Sequence, residues 1–143
     1  MTPDTLCIPD AMFRHLNFQG PRILVVPHTS ATRRVVPQDL VLINERLYRL
    51  VESIADYPTI AAAFQCEQPQ LLFDGCEGAE TATQFCKRHL RGISRNKVRV
   101  FHLTPPRFRR IATGERSSSG MCIVEVADAI YEVPAAVTMP LAQ

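Results

Sequence analysis

Gln70 to Gly92 reads Gln-Leu-Leu-Phe-Asp-Gly-Cys-Glu-Gly-Ala-Glu-Thr-Ala-Thr-Gln-Phe-Cys-Lys-Arg-His-Leu-Arg-Gly. The apolar run Leu71 to Phe73 stops at Asp74-Gly75, a strand-then-turn signal. Ala79, Ala82, Cys86 and Leu90 then recur at helical spacing, with Phe85 and His89 beside them. Glu77 and Glu80 fall in the first turn; Lys87, Arg88, His89 and Arg91 fall in the last, as the helix dipole favours. Gly92 is a terminator just past the end. This reading sets Cys76 at a helix N-terminus straight after a strand. Free N–H groups and the dipole favour a thiolate there. Glu77 and Glu80 oppose it by like-charge repulsion, and a buried cysteine is often only a small hydrophobe.

Outward from this stretch, Arg22 to Val26 is the clearest strand, β-branched and ended by Pro27-His28. Thr5 to Ile8 is a short apolar segment, and Ala11 to Phe18 follows with Met12, Phe13, Leu16 and Phe18 around His15. Leu40, Ile43, Leu47, Leu50 and Ile54 fall at steps of three and four, predicting an amphipathic helix capped by Asp39. Thr59 to Phe64 is a shorter piece after Pro58. Val98 to Leu103, Cys122 to Val126 and Ile130 to Val133 read as strands, with a polar loop from Gly114 to Gly120. The order predicts an α+β fold with Leu24, Val26, Leu47, Leu50, Val51, Ile54, Leu72, Ala82, Phe85 and Leu90 in its core.

The 143 residues suit one domain, with residues 104–143 a β-rich C-terminal extension. No apolar run approaches the roughly 18–20 residues of a membrane helix. Five cysteines, an odd number at spacings unlike a small disulfide framework, favour free thiols in a reducing, cytoplasmic setting. There is no CxxC pair, Gly-rich phosphate loop, HExxH or GxSxG, so no metal and no cofactor are expected. Net charge is only +2, but from Lys87 to Arg110 there are nine Lys or Arg and no Asp or Glu. The nine are Lys87, Arg88, Arg91, Arg95, Lys97, Arg99, Arg107, Arg109 and Arg110. Such asymmetry marks either a surface for RNA or another polyanion, or a solvated helix end and loop. For thiol chemistry the candidates are Cys76 as nucleophile, His15 as base and His28 as orienter or oxyanion partner.

Thr2 to His15, Thr-Pro-Asp-Thr-Leu-Cys-Ile-Pro-Asp-Ala-Met-Phe-Arg-His, resembles the H-box of the lecithin-retinol-acyltransferase-like (H-box/NC) proteins. Gly20, the strand Ile23 to Val26 and His28 follow in the family's order, and Gly75-Cys76-Glu77 is similar to its Asn-Cys-Glu box, with Gly75 in place of Asn. Leu90-Arg91-Gly92 and Arg95 to Val100 resemble the stretch after the family's helix. The resemblance implies a permuted papain-like (NlpC-like) domain, an antiparallel sheet packed against helices. In the cellular branch it implies a thiol acyltransferase or phospholipase using His15 and Cys76. In the viral branch, the picornavirus 2A proteins of this type, it implies a non-structural protein without protease activity. Such a protein works in genome replication through RNA or a host protein. The final Pro-Leu-Ala-Gln resembles a viral protease product, and the lack of an apolar anchor after the helix also favours that branch. A third possibility is an unrelated α/β interaction module.

Overall fold

The computed structural model describes residues 2–16, 19–111 and 120–134, with residue 110 described by its backbone alone. Phe18, most of the loop predicted from Gly114 and the terminal Pro-Leu-Ala-Gln lie outside the described residues.

Four successive residues of β2 (Arg22–Pro27), Ile23 to Val26, are all buried. A strand covered on both faces needs such an unbroken apolar run. β2 pairs antiparallel with β5 (Val98–Thr104), and β5 pairs antiparallel with β4 (Leu47–Tyr57). β4 continues to β3 (Leu40–Ile43), and β1 (Asp4–Leu6) joins β3 in parallel. The order is β1-β3-β4-β5-β2, so the sheet is mixed and not wholly antiparallel. β1 and β2 are its two edges, yet Leu6 and Ile8 from one side and Val26 and Pro27 from the other line one cleft of about 380 Å³. The sheet therefore curls until its edges face each other, which explains how an edge strand is buried throughout.

The helix predicted over Leu40–Ile54 is instead the β3–β4 hairpin. Its stripe of leucines and isoleucines satisfies a helical period, but Asn44-Glu45-Arg46 interrupts it with a turn. Asn44 and Glu45 are both left-handed, φ 52° and 57°, and the Arg46 N–H donates to the Ile43 carbonyl at 3.0 Å. The Asn44 side chain accepts from the Ile8 N–H and donates to the Ile8 carbonyl, fastening the chain after β1 to this turn. Asp39 caps no helix; its carboxylate accepts from the Val36 N–H. Because the hairpin replaces the helix, Leu47, Leu50 and Ile54 are only half-buried, while the other seven expected core residues are buried.

The other expected strand, Leu71–Phe73, is also absent: Pro69–Leu71 is a 3₁₀ turn with Leu72 buried beneath it. Among the described residues four α-helices accompany the sheet: α1 (Asp10–His15), α2 (Ser30–Arg33), α3 (Ile60–Cys66) and α4 (Ala79–His89). Thr59 caps α3, its hydroxyl accepting from the Ala62 N–H. α3 and α4 pack together, burying Ala63 and Phe64 from one and Ala82, Phe85 and Cys86 from the other. Glu67, at the end of α3, accepts from the Tyr57 hydroxyl on β4 and pairs with His102 Nε2 on β5 at 2.7 Å. Burial, reinforced by that hydrogen bond, pushes the Tyr57 pKa up.

A second sheet, β6 (Arg109–Arg110), β7 (Met121–Val126) and β8 (Ala129–Pro134), is antiparallel. Its hairpin turns through Ala127 and Asp128, both at positive φ. It builds a separate core of Val124, Val126, Tyr131 and Val133 against Leu40. The Leu40 N–H donates to the Tyr131 hydroxyl at 3.2 Å, tying the two sheets together.

Candidate nucleic-acid interface

α4 begins at Ala79 with Gly78 as its N-cap, so Cys76 precedes the helix and does not head it. Cys76 is buried, and its Sγ donates to the Gly78 carbonyl at 3.7 Å. Burial pushes its thiol up from the usual range and Glu77 adds to this, against a lowering from a backbone hydrogen bond at Gly78. Cys86 is pushed up to about 12, chiefly by burial. Among the described residues no hydrogen bond joins Cys76 to His15 or His28. His15, exposed at the end of α1, lies against Phe73 and Phe85, with ring centroids 5.1 Å and 4.9 Å away. His28 follows β2; its Nε2 is 3.8 Å from Asp56 Oδ1, and its backbone N–H donates to the Lys97 carbonyl.

The nine cations separate into two groups. Lys87, Arg88, Arg91, Arg95 and Lys97 are all exposed, from the end of α4 through the 3₁₀ turn Ile93–Arg95 to the residue before β5. The chain doubles back there at Gly92, φ 70°. Among the described residues none of these five side chains makes an ion pair or hydrogen bond. Arg99 differs, with its side chain only 13% exposed. Its guanidinium donates to Asp56 through Nε at 2.8 Å and through a second nitrogen at 3.2 Å. It also donates to the carbonyls of Thr32, Arg33 and Val35, at 3.0, 3.2 and 3.0 Å. The hydrogen bond from Arg99 holds the Asp56 carboxyl below its usual range. Arg99 thus clamps α2 onto β5, and in doing so it holds the exposed Arg33 and Arg34 in place. Arg109 pairs with Glu125 across the β6–β7 ladder at 3.0 Å. Arg107 is exposed beside a cleft lined by Pro105, Pro106 and Val126, away from α4. The Arg110 side chain lies outside what is described.

Two clefts border the exposed group. His28, Asp56, Tyr57, Pro58 and Lys97 line one of about 350 Å³. Asp56 is engaged by Arg99 and lies 3.8 Å from His28, which leaves Lys97 as the cation there without an ion pair among the described residues. The other, about 370 Å³, lies along α4 between Arg88 and His15. Leu90 shares the inter-edge cleft with Pro27 and Thr29, so the end of α4 lies beside the end of β2 where His28 sits. The sequence pattern located the cations. It carried no sign of the Arg99 clamp, whose partners come from two distant segments, nor of the cleft along α4.

The architecture is that of an α+β domain, a curled mixed sheet packed against a few helices. No family model matches the chain and no curated protein matches it. A solved structure described as hypothetical protein PH0355 is similar in fold, with a TM-score of 0.59 at 12% identity over 71% of this chain and 96% of that one. Among the described residues no helix is long and apolar enough to cross a membrane.

Proposed function

We propose that the protein binds single-stranded RNA through the ridge formed by Lys87, Arg88, Arg91, Arg95 and Lys97. The observation that carries this is that five exposed cations within eleven residues make no ion pair among the described residues. Cations that serve a fold are paired or hydrogen-bonded, as Arg99 and Arg109 are. Clustered, unpaired ones form a positive field that draws in phosphate and is satisfied by it. His28 and Lys97 extend the ridge at one end, and Arg33 and Arg34 lie on the helix that Arg99 fixes. Single strands suit the ridge better than a duplex, because the cations border clefts whose walls include aromatic rings.

This agrees with the RNA-linked replication role implied by the viral H-box/NC proteins. A host-protein partner is the outcome if the ridge takes no RNA. The permuted papain-like fold, common to both branches of the H-box/NC resemblance, and the acyltransferase alternative rest on sequence motifs. The acyltransferase activity needs a thiolate at Cys76, which burial opposes.

Titration of ¹⁵N-labelled protein with a short single-stranded RNA at low salt tests the proposal. Amide shifts should concentrate in residues 87–97 and at His28. Shifts confined to the β6–β8 sheet, or none, would reject it.

A further inference from the structure

The cleft along α4 has a different character from the ridge it adjoins. Its floor is aromatic: Phe73 and Phe85 lie 4.7 Å apart, and the exposed imidazole of His15 packs on both. Phe85 is buried and so fixed; Phe73 is half-buried and His15 is exposed, so these two present ring surface to the opening. One wall is a single row of α4, Glu80, Gln84 and Arg88, spaced at i, i+4 and i+8 and all exposed. Along that row the chemistry changes in order. Glu80 only accepts hydrogen bonds, Gln84 both donates and accepts, and Arg88 only donates. Arg88 is also the first ridge cation inside the cleft, next to Lys87.

We infer that this cleft holds one nucleobase of the bound strand, stacked on the exposed imidazole of His15, with Phe73, at 87° to that imidazole, meeting the base edge-on, the base edge toward Glu80 and Gln84 and its phosphate toward Arg88. The inference rests on the RNA reading and deepens it. Aromatic rings at the bottom of a cleft match the flat face of a base, and a cleft of about 370 Å³ is of ligand-site size. The orientation follows from charge. Glu80 repels a phosphate and Arg88 attracts it, so the strand enters from the ridge and the base lies at the Glu80 end. Glu80 as an acceptor favours a base that presents an amino group. Cytosine should therefore bind better than uracil, which has a carbonyl at the same ring position.

The test compares fluorescent five-nucleotide probes of equal charge: oligo(C), oligo(U) and an abasic backbone. Wild type should bind oligo(C) about tenfold more tightly than the abasic probe, within the range for stacking one base. His15→Ala and Gln84→Ala, both at exposed positions, should remove most of that difference and leave abasic binding unchanged. Glu80→Gln should narrow the gap between oligo(C) and oligo(U). Equal binding of oligo(C) and abasic probes would overturn the base site while leaving the ridge intact. A base preference that survives both His15→Ala and Gln84→Ala would place base contact elsewhere and overturn it too. Failure to bind any probe at low salt would remove the RNA reading itself.

Discussion

Lys87 to Lys97 and Arg99 to Arg110 are both basic and free of acids in sequence, and unlike in structure. In the first segment the cations sit on a helix end, a tight turn and the residues just after it, where exposed side chains form no ion pair among the described residues. In the second the chain is mostly strand, and strand pairing brings other segments within reach. Asp56 stands opposite Arg99 on β4, and Glu125 opposite Arg109 on β7. A run of charge becomes a binding surface only where the fold withholds partners from it.

Changing Lys87, Arg91, Arg95 and Lys97 together to Ala should have the largest effect, weakening RNA binding about 100-fold or more at low salt. Unfolding free energies from urea titration should stay within about 0.5 kcal/mol of wild type, since these are exposed side chains without ion pairs among the described residues. Arg99→Ala should do the reverse, costing about 2–3 kcal/mol as the charge-assisted hydrogen bonds to Asp56 and three carbonyls disappear. Asp56, with its carboxyl lowered in the fold, contributes to stability above the ordinary carboxylate pKa of about 3.9 and stops contributing as pH falls through its folded value. The gap between wild type and Arg99→Ala should therefore shrink on acidification below about pH 4, measured as urea midpoints across a pH series. Arg109→Ala breaks an exposed pair and should cost less than about 1 kcal/mol, with RNA affinity unchanged. Cys7 and Cys66 are exposed while Cys76 and Cys86 are buried, so iodoacetamide should label the first two sooner. Faster labelling of Cys76 would revive the thiol-enzyme reading.

Elements buried on both faces, or with one continuous apolar stripe, were legible from residues alone. β2 is of the first kind and α4 of the second, while β5 shows its strand character in the apolar Val98, Val100, Phe101 and Leu103 between partly buried polar residues. The β3–β4 hairpin was not legible, because Leu40, Ile43, Leu47, Leu50 and Ile54 satisfy a helical period as well as a strand pair. Its β-branched Val41, Ile43, Val51 and Ile54, with the polar Asn44-Glu45-Arg46 break, were the signal available. At the site, the ridge was visible as charge. His15 stood out as a candidate base, and the structure places it among Phe73 and Phe85 without a bond to Cys76. The row Glu80, Gln84, Arg88 was readable as a helical repeat, but nothing local marked it as facing a cleft.

The most direct measurement of the central claim is the salt dependence of single-stranded RNA affinity, for wild type, the four-residue ridge variant and an Arg107→Ala, Arg109→Ala double variant. Each phosphate that the protein no longer neutralises should reduce the log–log slope by roughly 0.7 for a single strand. The slope of the ridge variant should then be about two to three units shallower, and that of the double variant less than about one unit shallower. Equal slopes for wild type and the ridge variant, with both folded, would contradict the account.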